Sequence, residues 1–185
     1  MPLGLVQAPL NARRRTWALG AALTCLVGCA SRQPPGVEAT ALTGRLILQI
    51  GASQSQPARQ WSAGFELRGT ARAGELDLIS PLGTLVAQAR WKPGAAELSQ
   101  GAERVRFDSL PDLALRLLGE AVPLEALFDW QRGRPEPQTP HQATTTGFLQ
   151  QGWAIDLTRL TDGLFIARRT SEPTITLRAR LEGAP

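Results

Sequence analysis

Apolar and polar residues alternate along most of this chain. In the first such stretch Leu46, Leu48 and Ile50 fall on one side of an extended backbone, whereas Arg45 and Gln49 fall on the other. A period of two residues is typical of a β-strand with one buried and one solvated face. The same alternation returns in segments separated by Gly, Pro and Ser, and their apolar positions are Trp61, Ala63, Phe65, Leu67; Leu76, Leu78; Leu85, Ala87, Ala89, Trp91; Trp153, Ile155, Leu157; Phe165, Ala167; and Ile175, Leu177, Ala179, Leu181. We predict about ten strands.

The middle of the chain, about residues 109–133, follows a helical period instead. Asp108 or Ser109 is placed to cap a first helix, and Gly119 follows its last apolar residue. A second short helix is predicted from Pro123 to Gly133. The apolar residues with helical spacing are Leu110, Leu113, Leu117 and Leu118 in the first helix, and Leu124, Leu127, Phe128 and Trp130 in the second. A strand is predicted to resume with alternating Thr144, Thr146 and Phe148.

These elements predict a mainly β domain with a helical insertion. About ten antiparallel strands must curl or split to bury one shared apolar face. An incomplete antiparallel barrel with the helices laid over its open mouth satisfies that need. A barrel of this size either encloses a small apolar ligand or fills itself with side chains, and the pattern alone favours neither.

The N-terminal region has the three parts of a lipoprotein signal peptide. Arg13, Arg14 and Arg15 precede the uncharged, apolar stretch 16–27, and Gly28 and Cys29 follow it. The stretch is shorter than the roughly 20 residues of a permanent span. We therefore expect cleavage after residue 28, acylation of Cys29, a flexible tether over 29–40 and a single domain over 41–185. Since Ala30 rather than Asp follows the cysteine, we expect export to the outer membrane.

Charge and chemistry exclude several classes of function. Removing the three signal arginines leaves 17 basic residues against 16 acidic ones, so no nucleic-acid footprint is expected. Both cysteines lie within residues 1–29, which leaves no disulfide in the domain. The single histidine, His141, falls in a Pro-rich stretch predicted as a loop, and no nucleophile or phosphate-binding motif accompanies it. Asp108 and Asp112 fit helix capping. An enzyme, a metal site and a cofactor are all disfavoured.

Several short motifs in order resemble the LolB family of outer-membrane lipoproteins. They are the lipobox, Gly44-Arg45-Leu46, Ser80-Pro81-Leu82-Gly83, Gly119 with Val122-Pro123-Leu124, Leu127 to Gly133-x-Pro135, and Gln150-Gln151-Gly152-Trp153. The resemblance implies a monomeric receptor that takes lipoproteins from a LolA-like periplasmic carrier and inserts them into the outer membrane. Two departures affect the site: the chain lacks tyrosine and does not end on an aromatic residue.

The resemblance also implies an apolar cavity for the acyl chains of the client. We expect its walls among Leu46, Leu48, Phe65, Leu76, Leu78, Leu85, Trp91, Leu113, Leu117, Leu127, Trp130, Trp153 and Ile155. The alternative for these residues is ordinary core packing. The matching alternative for the protein is a structural outer-membrane lipoprotein, such as an envelope scaffold, with a filled core.

Leu82 is the sharpest single candidate. Between Pro81 and Gly83 it lies in a tight turn, where it either protrudes or folds back onto the sheet. In the family, the leucine of the matching loop is implicated in delivering the client into the membrane. The resemblance therefore implies that Pro81, Leu82 and Gly83 form a membrane-insertion loop.

Overall fold

A computed structural model describes residues 40–182 of the chain. The predicted signal peptide, Cys29 and nearly all of the predicted tether lie outside the described residues. The strands are β1 (Thr40–Ile50), β2 (Arg59–Gly69), β3 (Gly74–Ile79), β4 (Leu85–Lys92), β5 (Ala95–Gln100), β6 (Glu103–Phe107), β7 (His141–Thr144), β8 (Gly147–Gln150), β9 (Trp153–Asp156), β10 (Leu164–Arg169) and β11 (Ile175–Glu182). The helices are α1 (Leu110–Leu118) and α2 (Leu124–Trp130), with a 3-10 turn at Leu160–Asp162.

All eleven strands form one antiparallel sheet. Their order is β6-β5-β4-β3-β2-β1-β11-β10-β9-β8-β7, so β1 and β11 lie in its centre. Its two edges, β6 and β7, are not paired with each other within the described residues. The chain passes from one edge to the other through α1 and α2. The expected incomplete barrel with a helical insertion is confirmed.

The sheet curves around its apolar face. Trp91 on β4 and Phe165 on β10 line the same cavity. These strands are five positions apart in the sheet, which would separate them by about 24 Å if the sheet were flat. The inward positions predicted from alternation, such as Leu48, Ala89 and Ala167, are buried in a single cluster that also contains the helices.

Local capping explains where α1 begins and ends. The Ser109 hydroxyl accepts a hydrogen bond from the backbone N–H of Asp112 (3.2 Å), and Asp112 lies in the first turn, where a negative charge is favourable. Gly119 ends the helix in a left-handed conformation (φ 74°), which glycine adopts without strain. The predicted cap at Ser109 and end at Gly119 are therefore confirmed. Neither α1 nor α2 is long and apolar enough to cross a membrane.

Three local predictions are wrong. The second helix ends at Trp130 rather than at Gly133. Residues 144–148, expected in one strand, belong to β7 and β8, which a turn at Thr145 and Thr146 separates. His141 accordingly lies at the start of β7 and not in a loop. The split between β7 and β8 has a long-range cause: Gly147 lies so close to β9 that a Cβ there would overlap the carbonyl oxygen of Ile155, and this pairing sets the start of β8.

Alternation predicts that Leu85 shares the apolar face of Ala87, Ala89 and Trp91. In the structure it does not. The β3–β4 register shifts so that Leu78 pairs with Ala87 but Ile79 pairs with Leu85. One extra residue on β4 at this bulge reverses the facing of the strand end. The Leu85 side chain is 52% exposed as a result.

A buried glutamine joins α2 to the sheet. Gln150, only 1% exposed, accepts hydrogen bonds through Oε1 from Trp130 Nε1 (2.6 Å) and from the backbone N–H of Glu136 (2.8 Å). Its Nε2 donates to the carbonyl oxygens of Glu136 (2.8 Å) and Thr139 (2.7 Å). Each polar atom of this side chain is thus paired, and the C-terminal end of α2 is held against β8.

We expect Gln150→Leu to lower the free energy of unfolding by about 3 kcal/mol, because it leaves several buried polar groups without partners. Gln138→Leu is the matched control, since Gln138 is exposed and its side chain makes no hydrogen bond to the described residues. Urea unfolding of both variants measures the difference. Equal stability of the two would show that the buried hydrogen bonds of Gln150 contribute nothing net.

Candidate functional site

An apolar cavity of about 80 Å³ lies between the sheet and α2. Among the described residues 40–182, its lining contains no charged side chain, and Gln131 is the only amide. The residues that line it are Leu42, Leu46, Phe65, Leu67, Leu76, Leu78, Trp91, Leu118, Val122, Leu124, Leu127, Phe128, Gln131, Phe165, Leu177, Ala179 and Leu181. Such a lining offers an apolar ligand favourable burial and gives a polar ligand no partner.

The structure divides the residues expected at the cavity into three groups. Those that line it are Leu46, Phe65, Leu76, Leu78, Trp91 and Leu127. Those packed in the surrounding core are Leu48, Leu113, Leu117, Trp130, Trp153 and Ile155. Leu85 lies on the outside of the sheet.

Sequence reasoning did not assign several lining residues to the cavity. Leu67, Leu177, Ala179 and Leu181 share the apolar face of their strands, so the alternation that identified Phe65 also contained this signal. Val122 is different, because it lies between the helices and no periodic pattern includes it.

Aromatic contacts attach α2 to both halves of the sheet. Phe128 meets Trp91 of β4 edge-on, with ring centroids 6.0 Å apart. Two residues later, Trp130 meets Trp153 of β9 at 6.3 Å. Because β4 and β9 lie on opposite sides of the central strands, α2 spans the concave face. We call α1, α2 and the segment between them the lid.

The segment between the two helices is held by charged groups, which we call the lid clamp: Arg59, Glu120 and Arg169. Arg169 Nη2 donates to Glu120 Oε2 (3.0 Å), and both side chains are largely shielded from solvent. From the other side, Arg59 Nη2 donates to the carbonyl oxygen of Gly119 (2.9 Å) and contacts Glu120 Oε1 (3.4 Å). The Arg169 guanidinium also lies 5.9 Å from the ring of Trp153. The lid clamp therefore ties the lid to β2 and β10.

The loop between β3 and β4 presents Leu82 to solvent. Its side chain is 93% exposed, the highest exposure among the large apolar residues described. Ser80 closes the loop: its N–H donates to the carbonyl oxygen of Thr84 (2.8 Å), and its own carbonyl accepts from Gly83 N–H (2.9 Å). Of the two arrangements that the sequence allowed, the structure has the protruding one.

The fold and the cavity define a class of proteins in which a curved antiparallel sheet and a helical lid enclose an apolar space. Residues 42–177 match the family model described as outer membrane lipoprotein LolB. This chain belongs to the LolB family.

Proteins named outer-membrane lipoprotein LolB are similar to most of its length. The Bordetella petrii protein is 35% identical, with 91% of this chain and 92% of that protein covered. The Chromobacterium violaceum protein is 32% identical, with 80% and 84% covered. The Bordetella pertussis protein is 33% identical, with 74% of each chain covered.

We expect Glu120→Gln to loosen the lid clamp, because it removes the negative charge between two guanidinium groups. The free energy of unfolding should fall by about 1–2 kcal/mol, and amide hydrogen exchange should accelerate at residues 119–124. Glu125→Gln is the matched control, since Glu125 is exposed on α2 and makes no ion pair to a described residue. Unchanged exchange in Glu120→Gln would contradict a clamping role.

Proposed function

We propose that this chain accepts lipoproteins from a LolA-like periplasmic carrier and inserts them into the outer membrane. The observation that carries the proposal is the apolar cavity under the lid, which no charged side chain of the described part of the chain lines. The names of the similar proteins support a location at the outer membrane. Acylation of Cys29 would hold the domain on the periplasmic face of that membrane.

The cavity is small in this structure. Its volume of about 80 Å³ is well below the roughly 300–1,000 Å³ of common ligand pockets. An acyl chain therefore enters only if the lid moves away from the sheet. Apolar contacts suit such a movement, because the acyl chain replaces the side-chain contacts that are lost.

Burial of the acyl chains supplies the driving force for uptake. Each buried methylene contributes about 0.8 kcal/mol, so the gain grows with the length of the acyl chain and offsets the lid contacts that are lost. Transfer from the carrier then runs down a gradient of affinity and needs neither a nucleotide nor catalysis. This chain accordingly acts as a receptor and not as an enzyme.

The small volume of the cavity also favours one competing function, that of an outer-membrane scaffold with a filled core. The two differ in a single property, which is the ability to bind an acyl chain. Stoichiometric binding of a fluorescent fatty acid separates them.

We expect Leu46→Trp to lower the affinity for that fatty acid by about tenfold or more, because the indole occupies cavity space that methylene groups would fill. Leu85→Trp makes the same substitution on the outside of the sheet and should bind as the wild type does. Fluorescence titration measures both, and circular dichroism checks that each folds. If the wild type binds no fatty acid, the scaffold is the correct function.

We expect Leu82→Glu to leave uptake of the client intact and to block its release into vesicles, because a carboxylate at the loop tip opposes entry into the bilayer. The assay mixes carrier loaded with a lipidated client, this chain with Cys29 replaced, and vesicles. Co-purification reports uptake, and co-sedimentation of the client reports release. Leu149→Glu is the control, since Leu149 is exposed on β8 (42%) and not in this loop. Normal release by Leu82→Glu would remove the insertion role.

A further inference from the structure

Two arginines oppose each other on the convex face of the sheet without a partner. Arg45 on β1 and Arg180 on β11 are directly opposite in the strand register, and both side chains are exposed. Neither makes a hydrogen bond or ion pair with any residue in the described part of the chain. Like charges directly opposite in a sheet are destabilising, so the stability of the fold does not account for this pair.

Neighbouring arginines on the same face are paired. Arg90 contacts Glu75 (2.5 Å), and this hydrogen-bonded carboxylate raises the pKa of the Arg90 guanidinium. Arg178 donates to Gln49 (3.1 Å), and Arg168 contacts Asp156 (3.6 Å). Among the outward-facing arginines of β1, β2, β10 and β11, Arg45 and Arg180 are thus the two without a partner in the described part of the chain.

A row of cross-strand partners connects this pair to the Leu82 loop. Ile79 at the end of β3 pairs with Gly64 of β2, Gly64 with Arg45, and Arg45 with Arg180. Three strand spacings separate Ile79 from Arg180, or about 14 Å. Leu82 follows Ile79 by three residues, so the loop begins at the level of the two arginines.

Gly64 leaves a groove beside Arg45. The groove has a volume of about 300 Å³, and Pro81 and Gly83 of the Leu82 loop form its other wall. Steric need does not explain the glycine, because an added Cβ would make only ordinary contact with Ile79 (3.5 Å). Glu66 and Glu182 also line the groove, but Glu66 is ion-paired with Arg68.

Exposed apolar side chains gather on the loop side of this row. Leu85 and Val86, which the β4 bulge turns outward, are 52% and 45% exposed and lie next to Leu82. Leu115 and Leu149 are the other large apolar side chains exposed among the described residues. The surface thus combines a projecting group of apolar side chains with the unpaired guanidinium groups of Arg45 and Arg180 nearby. Proteins that bind at a membrane interface combine apolar and cationic groups in this way.

We infer that Arg45 and Arg180 bind the phosphate groups of anionic lipid headgroups while Leu82, Leu85 and Val86 enter the apolar part of the same leaflet. This inference rests on the proposed function, because it assigns the membrane-facing surface of the inserting protein. A guanidinium group binds phosphate through two parallel hydrogen bonds, so two adjacent guanidinium groups suit an anionic phosphate group.

The test is co-sedimentation of the processed chain with vesicles, using Cys29→Ala so that no lipid anchor contributes. One set of vesicles is phosphatidylcholine alone, and the other is an equimolar mixture with phosphatidylglycerol. We expect Arg45→Gln combined with Arg180→Gln to weaken binding to the mixed vesicles by about tenfold and to leave binding to phosphatidylcholine unchanged. Leu82→Glu should weaken binding to both.

The matched control is Arg72→Gln combined with Lys92→Gln. It removes the same charge from exposed, unpaired side chains at the opposite ends of β3 and β4. An equal loss in this control would assign the effect to net charge and overturn the inference. Wild-type binding by the Arg45 and Arg180 variant would overturn it as well, as would a loss of client uptake from the carrier without a change in vesicle binding.

Client uptake by the wild type keeps the two proposals apart. If the wild type takes no client from the loaded carrier, the proposed function fails. If it takes and releases the client while the arginine variant binds mixed vesicles normally, only the headgroup site fails. Circular dichroism should show both double variants folded.

Discussion

Hydrophobic contact between the concave sheet face and the lid is the interaction on which the rest of this structure depends. The sheet has two edges that do not meet in residues 40–182, so hydrogen bonding between strands does not close it. The lid lies in the connection between these two edges. It covers the apolar face, which a closed barrel would have enclosed. Phe128 and Trp130 anchor α2 to Trp91 and Trp153 on opposite halves of the sheet. Without these contacts the concave face would be exposed to water.

Polar and apolar contacts have different roles in holding the lid. Directional hydrogen bonds secure α2 at its two ends: the lid clamp around Glu120 holds the segment before α2, and Gln150 holds Trp130 at its C-terminus. Between these points the cavity wall is apolar. Apolar contacts have little directionality, so an acyl chain can replace them at small cost, whereas a broken buried hydrogen bond leaves an unpaired group. Hydrogen bonds therefore fix the ends of α2, and the apolar contacts between them can be exchanged for contacts with a ligand.

The two faces of the sheet serve different environments. Its concave face carries the cavity, and the convex face carries charged side chains, most of them paired, with Leu82 projecting at one end of β3. A single bulge in β4 adds Leu85 and Val86 to that projection. In the proposed function the same strands thus bind acyl chains on one side and meet the membrane at one end.

Local sequence determined the type of most elements. Alternation identified strands such as β2 and β11, and a serine cap with a terminal glycine identified α1, because these signals depend on residues at most four positions apart. The scarcity of catalytic groups was equally visible in the composition. Six of the expected cavity residues line the cavity: five lie on correctly identified apolar strand faces, as with Phe65 and Leu76, and Leu127 lies on α2.

Only the tertiary structure decided which of those residues meet. The bulge that exposes Leu85 and the split between β7 and β8 both follow from pairing with another strand. The buried partner of Trp130 lies 20 residues away in the chain, and Arg45 meets Arg180 only because the first and last strands pair in the centre of the sheet. Alternation specifies which face a side chain occupies but not its neighbours on that face, since register is set by contacts between distant segments.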